Sequence, residues 1–298
     1  MSSTDGPERT YRGNCHCGAF VFEARLPEVR AVHECNCSLC RRKGYLFVFA
    51  AEAGDGFRVV RGAEEALTSY TFGAGEMFHK FCPTCASPVM ALFPAGPPGK
   101  RRALNVHTFQ GVNTWTLERK PVDGASHGAA YVPHQYKGPL PADEAGKKLY
   151  TGSCHCGRVG VALNSEPLDE TFDGRFLECN CSICERNGYL WIYPARGSVE
   201  LSGDEAAIGR YAFSRSAMAK TFCRTCGVCL TNDFDRACVP DVRGSFGLTP
   251  EQEREFARFA ETFRPVNLRV LHGVDPAVMR APERFDGATG LLPRYQDP

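Results

Sequence analysis

Sixteen cysteines lie in a chain of 298 residues, and most of them come in tight groups. Cys15-His16-Cys17, Cys35-Asn36-Cys37-Ser38-Leu39-Cys40 and Cys82-Pro83-Thr84-Cys85 form one series. Cys154-His155-Cys156, Cys179-Asn180-Cys181-Ser182-Ile183-Cys184 and Cys223-Arg224-Thr225-Cys226 repeat it in the same order. Thiolates two or three positions apart on a turn can reach one tetrahedral zinc ion, with Zn–S near ~2.3 Å. Four thiolates close a structural site, while three leave a position open. Seven cysteines per series divide naturally as four plus three. A CxxC knuckle needs a second pair from elsewhere, and the CxC at the start of each series can supply it. Cys15, Cys17, Cys82 and Cys85 are therefore expected to form one closed site, with Cys154, Cys156, Cys223 and Cys226 as its copy. The remaining sets, Cys35, Cys37, Cys40 and Cys179, Cys181, Cys184, are expected to be open, catalytic zinc sites. Zn²⁺ on three thiolates carries a formal charge of about −1. Such an ion is a weakened Lewis acid and a poor maker of hydroxide, so a soft thiol held as thiolate suits its fourth position. Against this stands a closed inner site, completed by a histidine or by a partner residue, in which every metal is structural. Disulfides are opposed by the odd number per series and by the compartment argued below.

Other zinc chemistries lack their residues. Nucleobase deaminases need a general-acid Glu beside the ligands, and Cys35-Asn36-Cys37 has none. The HExxH motif, the P-loop and GxGxxG are absent. His16 and His155, inside the CxC pairs, are expected to point away from the metal and to make supporting or surface contacts. Glu34, Glu178, Arg42 and Arg186 flank the open sets and could anchor a charged substrate or form ordinary surface ion pairs. Cys229 and Cys238 fall outside the shared design, and each reads as a small buried apolar thiol or a loop thiol.

The elements that must position these groups are also duplicated. Glu34-Cys35-Asn36-Cys37-Ser38 returns at 178–182, Gly44-Tyr45-Leu46 at 188–190, Phe81-Cys82 at 222–223 and Asp123-Gly124-Ala125 at 286–288. Between them run short β-branched and aromatic segments punctuated by Gly and Pro, which read as strands: 20–22, 45–50, 57–60, 69–72 and 103–108, echoed at 159–161, 189–193, 199–201 and 266–270. The fold class is mainly β, in two tandem zinc-binding domains with few short helices. The boundaries are a flexible tail over 1–10, a first domain over 11–131, a linker over 132–148 and a second domain over 149–298 with an insertion at 232–263. That insertion holds the one clear helix. Thr249-Pro250-Glu251-Gln252 is a capping box, followed by Phe256, Phe259, Ala260 and Phe263 on one face. The net charge of +1 leaves no basic field for nucleic acid. No apolar run reaches membrane length, and Met1 to Thr10 has no signal-peptide core. A cytoplasmic or nuclear protein in a reducing compartment is expected.

The order G-x-C-x-C-G, C-x-C-S-x-C, F-C-x-x-C resembles the glutathione-dependent formaldehyde-activating enzyme family, which includes centromere protein V-like proteins. It stands here as Gly13 to Gly18, Cys35 to Cys40 and Phe81 to Cys85, and again at the matching positions of the second repeat. The resemblance implies an all-β, zinc-bearing β-tent of the Mss type, with two zinc ions per domain. It also implies carbon–sulfur lyase chemistry, the reversible addition of a glutathione-type thiol to a small aldehyde such as formaldehyde. The alternative is a non-catalytic, zinc-scaffolded interaction module. Ala86 stands where the family has Gly after the last cysteine, whereas the second repeat keeps Gly227.

Overall fold

The computed structural model describes residues 7–50, 56–213, 218–234, 249–291 and 293–298. Two compact units emerge. One runs to Tyr131 and includes Glu185–Gly188 and Gln296–Pro298; the other comprises Val132–Cys184 and Tyr189–Tyr295. In the first, the strands are β1 (Arg9–Asn14), β2 (Val21–Leu26), β3 (Ala31–Cys35), β4 (Phe47–Phe49) and β5 (Phe57–Arg61). They continue with β6 (Thr68–Tyr70), β7 (Phe78–Phe81), β8 (Pro88–Leu92), β9 (Arg102–Asn105) and β10 (Glu118–Val122). A three-stranded sheet has the order β1-β2-β5, and a seven-stranded sheet the order β10-β3-β4-β9-β8-β7-β6. All pairings are antiparallel except that of β10 with β3. The alternation of apolar and polar residues along β2 buries Phe22, Ala24 and Leu26 on one face, and Val21 is buried on the other. A side chain of Phe22's size contributes about 1.5–3 kcal/mol on full burial.

The second repeat rebuilds this plan. Its strands are β11 (Lys148–Ser153), β12 (Val159–Ser165), β13 (Phe176–Cys179), β14 (Trp191–Ile192), β15 (Val199–Gly203) and β16 (Ile208–Ala212). After these come β17 (Met218–Cys223), β18 (Cys229–Phe234), β19 (Val266–Asn267) and β20 (Glu283–Phe285). The sheets are β11-β12-β15 and β16-β17-β18-β19-β14-β13-β20. The seven-stranded order is that of the first repeat read from the other edge, down to one parallel pair, β13 with β20. The mainly β, tandem fold expected from the sequence is therefore present. The stretch 132–147 carries no regular structure but is fastened to the second unit. Asn164 Nδ2 donates to the Ala142 carbonyl (2.5 Å), and the Ser198 hydroxyl donates to Glu144 (2.6 Å).

The insertion helix follows its sequence signature. It spans Pro250–Thr262, with Thr249 and Gln252 capping each other reciprocally. Ala260 is fully buried, and Phe259 packs on Tyr193 (5.8 Å) and Phe263 (5.4 Å). The side chain of Phe256, the segment 235–248 with Cys238, and residues 1–6 of the tail lie outside the described residues. Two of the few short helices expected, whose positions the sequence does not reveal, are Ser38–Lys43 and Ser182–Asn187, each within a CxCxxC segment. Among the described residues no helix is long and apolar enough to cross a membrane.

Candidate metal centres and their supporting loops

The closed sets form where a β-turn meets a knuckle. In the first repeat, Cys15 and Cys17 lie on the turn that joins β1 to β2, closed by the Gly18 N–H donating to the Cys15 carbonyl (3.0 Å). Cys82 and Cys85 lie on the knuckle between β7 and β8, where the Ala86 N–H donates to the Cys82 carbonyl (2.9 Å). The four sulfurs lie within 4.8 Å of one another, as do those of Cys154, Cys156, Cys223 and Cys226. Cys15 and Cys17 Sγ are 3.6 Å apart, and Cys17 and Cys82 Sγ 3.5 Å; in the second repeat the corresponding separations are 3.6 and 3.5 Å. Tetrahedral zinc with bonds near 2.3 Å sets its sulfurs about 3.8 Å apart, whereas a disulfide needs about 2.05 Å. The donor set thus fits a four-thiolate metal. Backbone N–H groups of Phe20 and Val159 donate to Cys15 and Cys154 Sγ at 3.3 Å, the kind of support a metal thiolate receives.

Ala86 and Gly227 occupy the same left-handed position, at φ 58° and 67°. A Cβ there costs about 1–2 kcal/mol. Burial of the Ala86 methyl, about 0.8 kcal/mol, offsets part of this strain.

The open sets are local. Cys35 ends β3, Cys37 caps the N-terminus of the helix Ser38–Lys43, and Cys40 sits in its first turn. Cys37 Sγ accepts from the Cys40 N–H (3.5 Å) and Cys35 Sγ from the Cys37 N–H (3.4 Å). The helix stops at Gly44, φ 59°. The sulfurs of Cys35, Cys37 and Cys40 lie within 4.8 Å of one another, and so do those of Cys179, Cys181 and Cys184. Among the described residues no fourth His, Cys, Asp or Glu joins either group. Hydrogen bonds from Cys37 and Cys40 hold the Cys35 thiol well below its ordinary pKa, while donation to Cys35 and burial push Cys40 up. Cys181 is lowered in the same way by Cys179 and Cys184. Binding of a metal ionises the thiols that hold it, the buried one included.

Beneath each open set lies an aromatic floor. Tyr45, Phe47, Ala91 and Ala103 pack with Cys40, and Phe49 joins them. Tyr45 stacks on Phe47 at 4.5 Å, as Tyr189 does against Trp191 at 4.4 Å. Through Phe259, the insertion helix reaches this floor at Tyr193, whose phenol is pushed up by burial and then by Cys184.

A family model for the glutathione-dependent formaldehyde-activating enzyme matches residues 10–118 and again 149–262. The chain belongs to this family. A Halomonas elongata protein named "Putative glutathione-dependent formaldehyde-activating enzyme" is 32% identical over 122 residues, 37% of this chain and 69% of that one. A crystal structure of a Rhodobacter sphaeroides protein is 34% identical and covers 37% of this chain and 99% of its own, with a TM-score of 0.32.

In this tandem family member the flanking residues take varied places. His16 and His155 are buried rather than on the surface. Arg42 donates to the Ser38 carbonyl (2.9 Å) and lies over Tyr131 (4.8 Å); Arg186 is also buried. Glu178 pairs with Arg284 at 3.5 Å, the ordinary ion pair, and Glu34 is exposed. Cys229 is a buried thiol.

Sequence reasoning missed the part played by Asn36 and the Asp-Gly-Ala loop. Because β10 runs parallel beside β3, the loop after Val122 arrives over Cys35. Asn36 Nδ2 donates to Asp123 Oδ1 (2.8 Å), and the Ala125 N–H donates back to Asn36 Oδ1 (2.8 Å). Asn180 makes the same two bonds with Asp286 and Ala288, each 2.9 Å. The glycine between has no room for a side chain. A Cβ on Gly124 would overlap Cys35 Sγ, and one on Gly287 would fall 2.7 Å from Cys179 Sγ. The second copy of Asp-Gly-Ala was the available signal. Gly124→Ala should displace this latch or the thiolate, and such supporting contacts are worth about 10–100-fold in metal affinity. We expect chelator competition to strip one metal per chain faster from Gly124→Ala, with the other metals unaffected. Equal release rates would remove the latch from the site.

Proposed function

We propose that the chain is a zinc-dependent carbon–sulfur lyase-like enzyme acting on the adduct of a small, glutathione-type thiol and a small aldehyde such as formaldehyde. The observation that carries this reading is the three-thiolate set, present in both repeats, which no fourth His, Cys, Asp or Glu joins among the described residues. Cys35, Cys37 and Cys40 would hold one zinc, and Cys179, Cys181 and Cys184 another, with closed zinc sites on the two sets of four. When bound, zinc at the open sets supplies a position where a thiol is stabilised as its thiolate at neutral pH. In the synthetic direction a sulfur–carbon bond forms, the carbonyl π bond breaks, and the thiol proton ends on the former carbonyl oxygen. Lysis reverses each change. The chain's own residues orient the centre. The helix N-cap and β3 fix the thiolates, the Asn36 latch holds the loop, and the floor of Tyr45 and Phe47 excludes water from below.

The sequence predicts neither a nucleic-acid nor a membrane partner, and the reaction needs neither. The gently purified protein should carry about four zinc ions by the four-plus-three partition. Titration of the cobalt-substituted protein with glutathione should then change the absorption of the inner sites alone. Two metals or fewer, or spectra that glutathione leaves unchanged, would favour the zinc-scaffolded interaction module.

A further inference from the structure

The two open sites are built from the same frame, and their differences fall on the groups that face the sulfurs. Phe47 and Trp191 occupy one position, opposite Asn105 on β9 and Asn267 on β19 respectively. In the second repeat the indole Nε1–H donates to Cys184 Sγ at 3.3 Å, a bond that a phenylalanine cannot make. His79 and Lys220 occupy another shared position, each opposite a tyrosine, Tyr70 on β6 and Tyr211 on β16. Lys220 is buried, with Nζ 5.0 Å from the Trp191 ring centroid and 5.8 Å from that of Tyr189. Its ammonium thus lies against the ring whose N–H meets Cys184. His79 instead places an imidazole 5.5 Å from the Tyr45 ring.

The first repeat has a buried ammonium of its own, Lys43, where the second has Asn187. Lys43 Nζ lies 4.6 Å from the centroid of Phe81, the residue before Cys82 of the closed set, and 5.9 Å from that of Tyr45. Lys220 therefore stands closest to the ring whose N–H meets Cys184 of the open set, whereas Lys43 stands closest to Phe81, next to Cys82 of the closed set.

We infer that the second open site binds an anionic fourth ligand, a thiolate, more tightly than the first, with Lys220 and Trp191 as the residues that set this specificity. The inference rests on the open metal sites of the proposed function. A metal on three thiolates has a formal charge of about −1, and a thiolate in the fourth position takes it to about −2. A nearby ammonium opposes that build-up most strongly in a buried, low-dielectric setting. The N–H···S bond withdraws electron density from Cys184, so the metal gains more from a new anionic donor. A neutral donor adds no charge, so both effects weaken for it. Lys220 and Trp191 act through the thiolates and are positioning residues.

The test uses full-length, cobalt-loaded protein with one open site removed at a time. Cys37→Ser leaves the second open site, and Cys181→Ser the first. Each is titrated with 2-mercaptoethanol, which binds as a thiolate, and with imidazole, a neutral donor, following the cobalt d–d bands. We expect thiol affinity at the second site to exceed that at the first by about 10-fold or more, with imidazole affinities within about 3-fold, on the scale known for supporting groups. Lys220→Met and Trp191→Phe, each added to Cys37→Ser, should lower thiol affinity toward the first-site value and leave imidazole unchanged. Lys220→Arg should restore most of it. Equal thiol affinities at the two sites, or variants that weaken thiol and imidazole alike, would overturn this inference while leaving the proposed function standing. No thiol binding at either site would overturn both. Circular dichroism checks the fold, and if Lys220→Met does not fold, Trp191→Phe alone decides.

Discussion

Cys82→Ser should unfold the first repeat, whereas Cys37→Ser should leave it folded. Both changes remove one sulfur from a cluster, and the difference lies in what the cluster ties together. The closed set joins the turn after β1 to the knuckle after β7, with Cys17 and Cys82 65 residues apart. The open set spans Cys35 to Cys40 within one turn of chain. Closing a long loop removes far more freedom from the unfolded chain than closing a short one, by the logarithm of loop length. The local CxCxxC can also hold zinc in the unfolded chain, and a ligand that binds both states stabilises neither strongly. A structural zinc contributes about 10–16 kcal/mol of apparent binding free energy, comparable with the whole stability of about 5–15 kcal/mol of a small domain. Cys82 is also buried, so an unmatched hydroxyl there adds a desolvation cost of about 1–3 kcal/mol. We expect Cys82→Ser to aggregate or to lose the first of two thermal transitions, and Cys37→Ser to melt within a few degrees of the parent. Equal losses in the two variants would show that the division between fold-holding and working metals is wrong. EDTA treatment should reproduce the contrast, releasing the open-site metals before the fold is lost.

The cysteine partition was legible because spacing dictates geometry. Residues two or three apart on a turn converge whatever the surrounding fold, and the repeat supplied a second reading of every group. The strands were legible in their apolar centres, as at Phe57–Arg61 and Val199–Gly203, and blurred at their ends. Segment 103–108 holds a strand only to Asn105 and then turns through Val106–Thr108, a change the β-branched composition conceals. The helices Ser38–Lys43 and Ser182–Asn187 were invisible because six residues are too few for periodicity. In the first of them a thiol takes the place of the usual Ser or Asp cap. The Asn36 latch depends on a parallel pairing between segments 87 residues apart, which no local pattern reveals. Lys220 beside the second open site was equally hidden. It aligns with a histidine, and the sheet register places each opposite a tyrosine, Tyr211 for Lys220 and Tyr70 for His79.

Loss of both open sites should abolish thiol binding and lyase turnover, while loss of either alone should leave part of the signal. The second repeat keeps Glu178, Asn180, Ser182, Arg186, Gly188 and Tyr189, and its latch bonds match those of the first to within about 0.1 Å. Neither loop has decayed. Each open set draws its three ligands from one segment of its own repeat, so removing one need not disturb the other. Turnover of an S-hydroxymethyl thiol adduct should therefore fall to a fraction in Cys37→Ser and in Cys181→Ser, and by at least about 10³-fold in the double variant, the scale on which loss of a catalytic metal's Lewis-acid and orienting roles shows. The greater remaining fraction should belong to Cys37→Ser, which retains the site with Lys220 and Trp191. If Cys181→Ser alone leaves the full rate and the full thiol-binding signal, the second repeat is a structural relic. If either single variant abolishes both, the two centres work as one, and their independence fails.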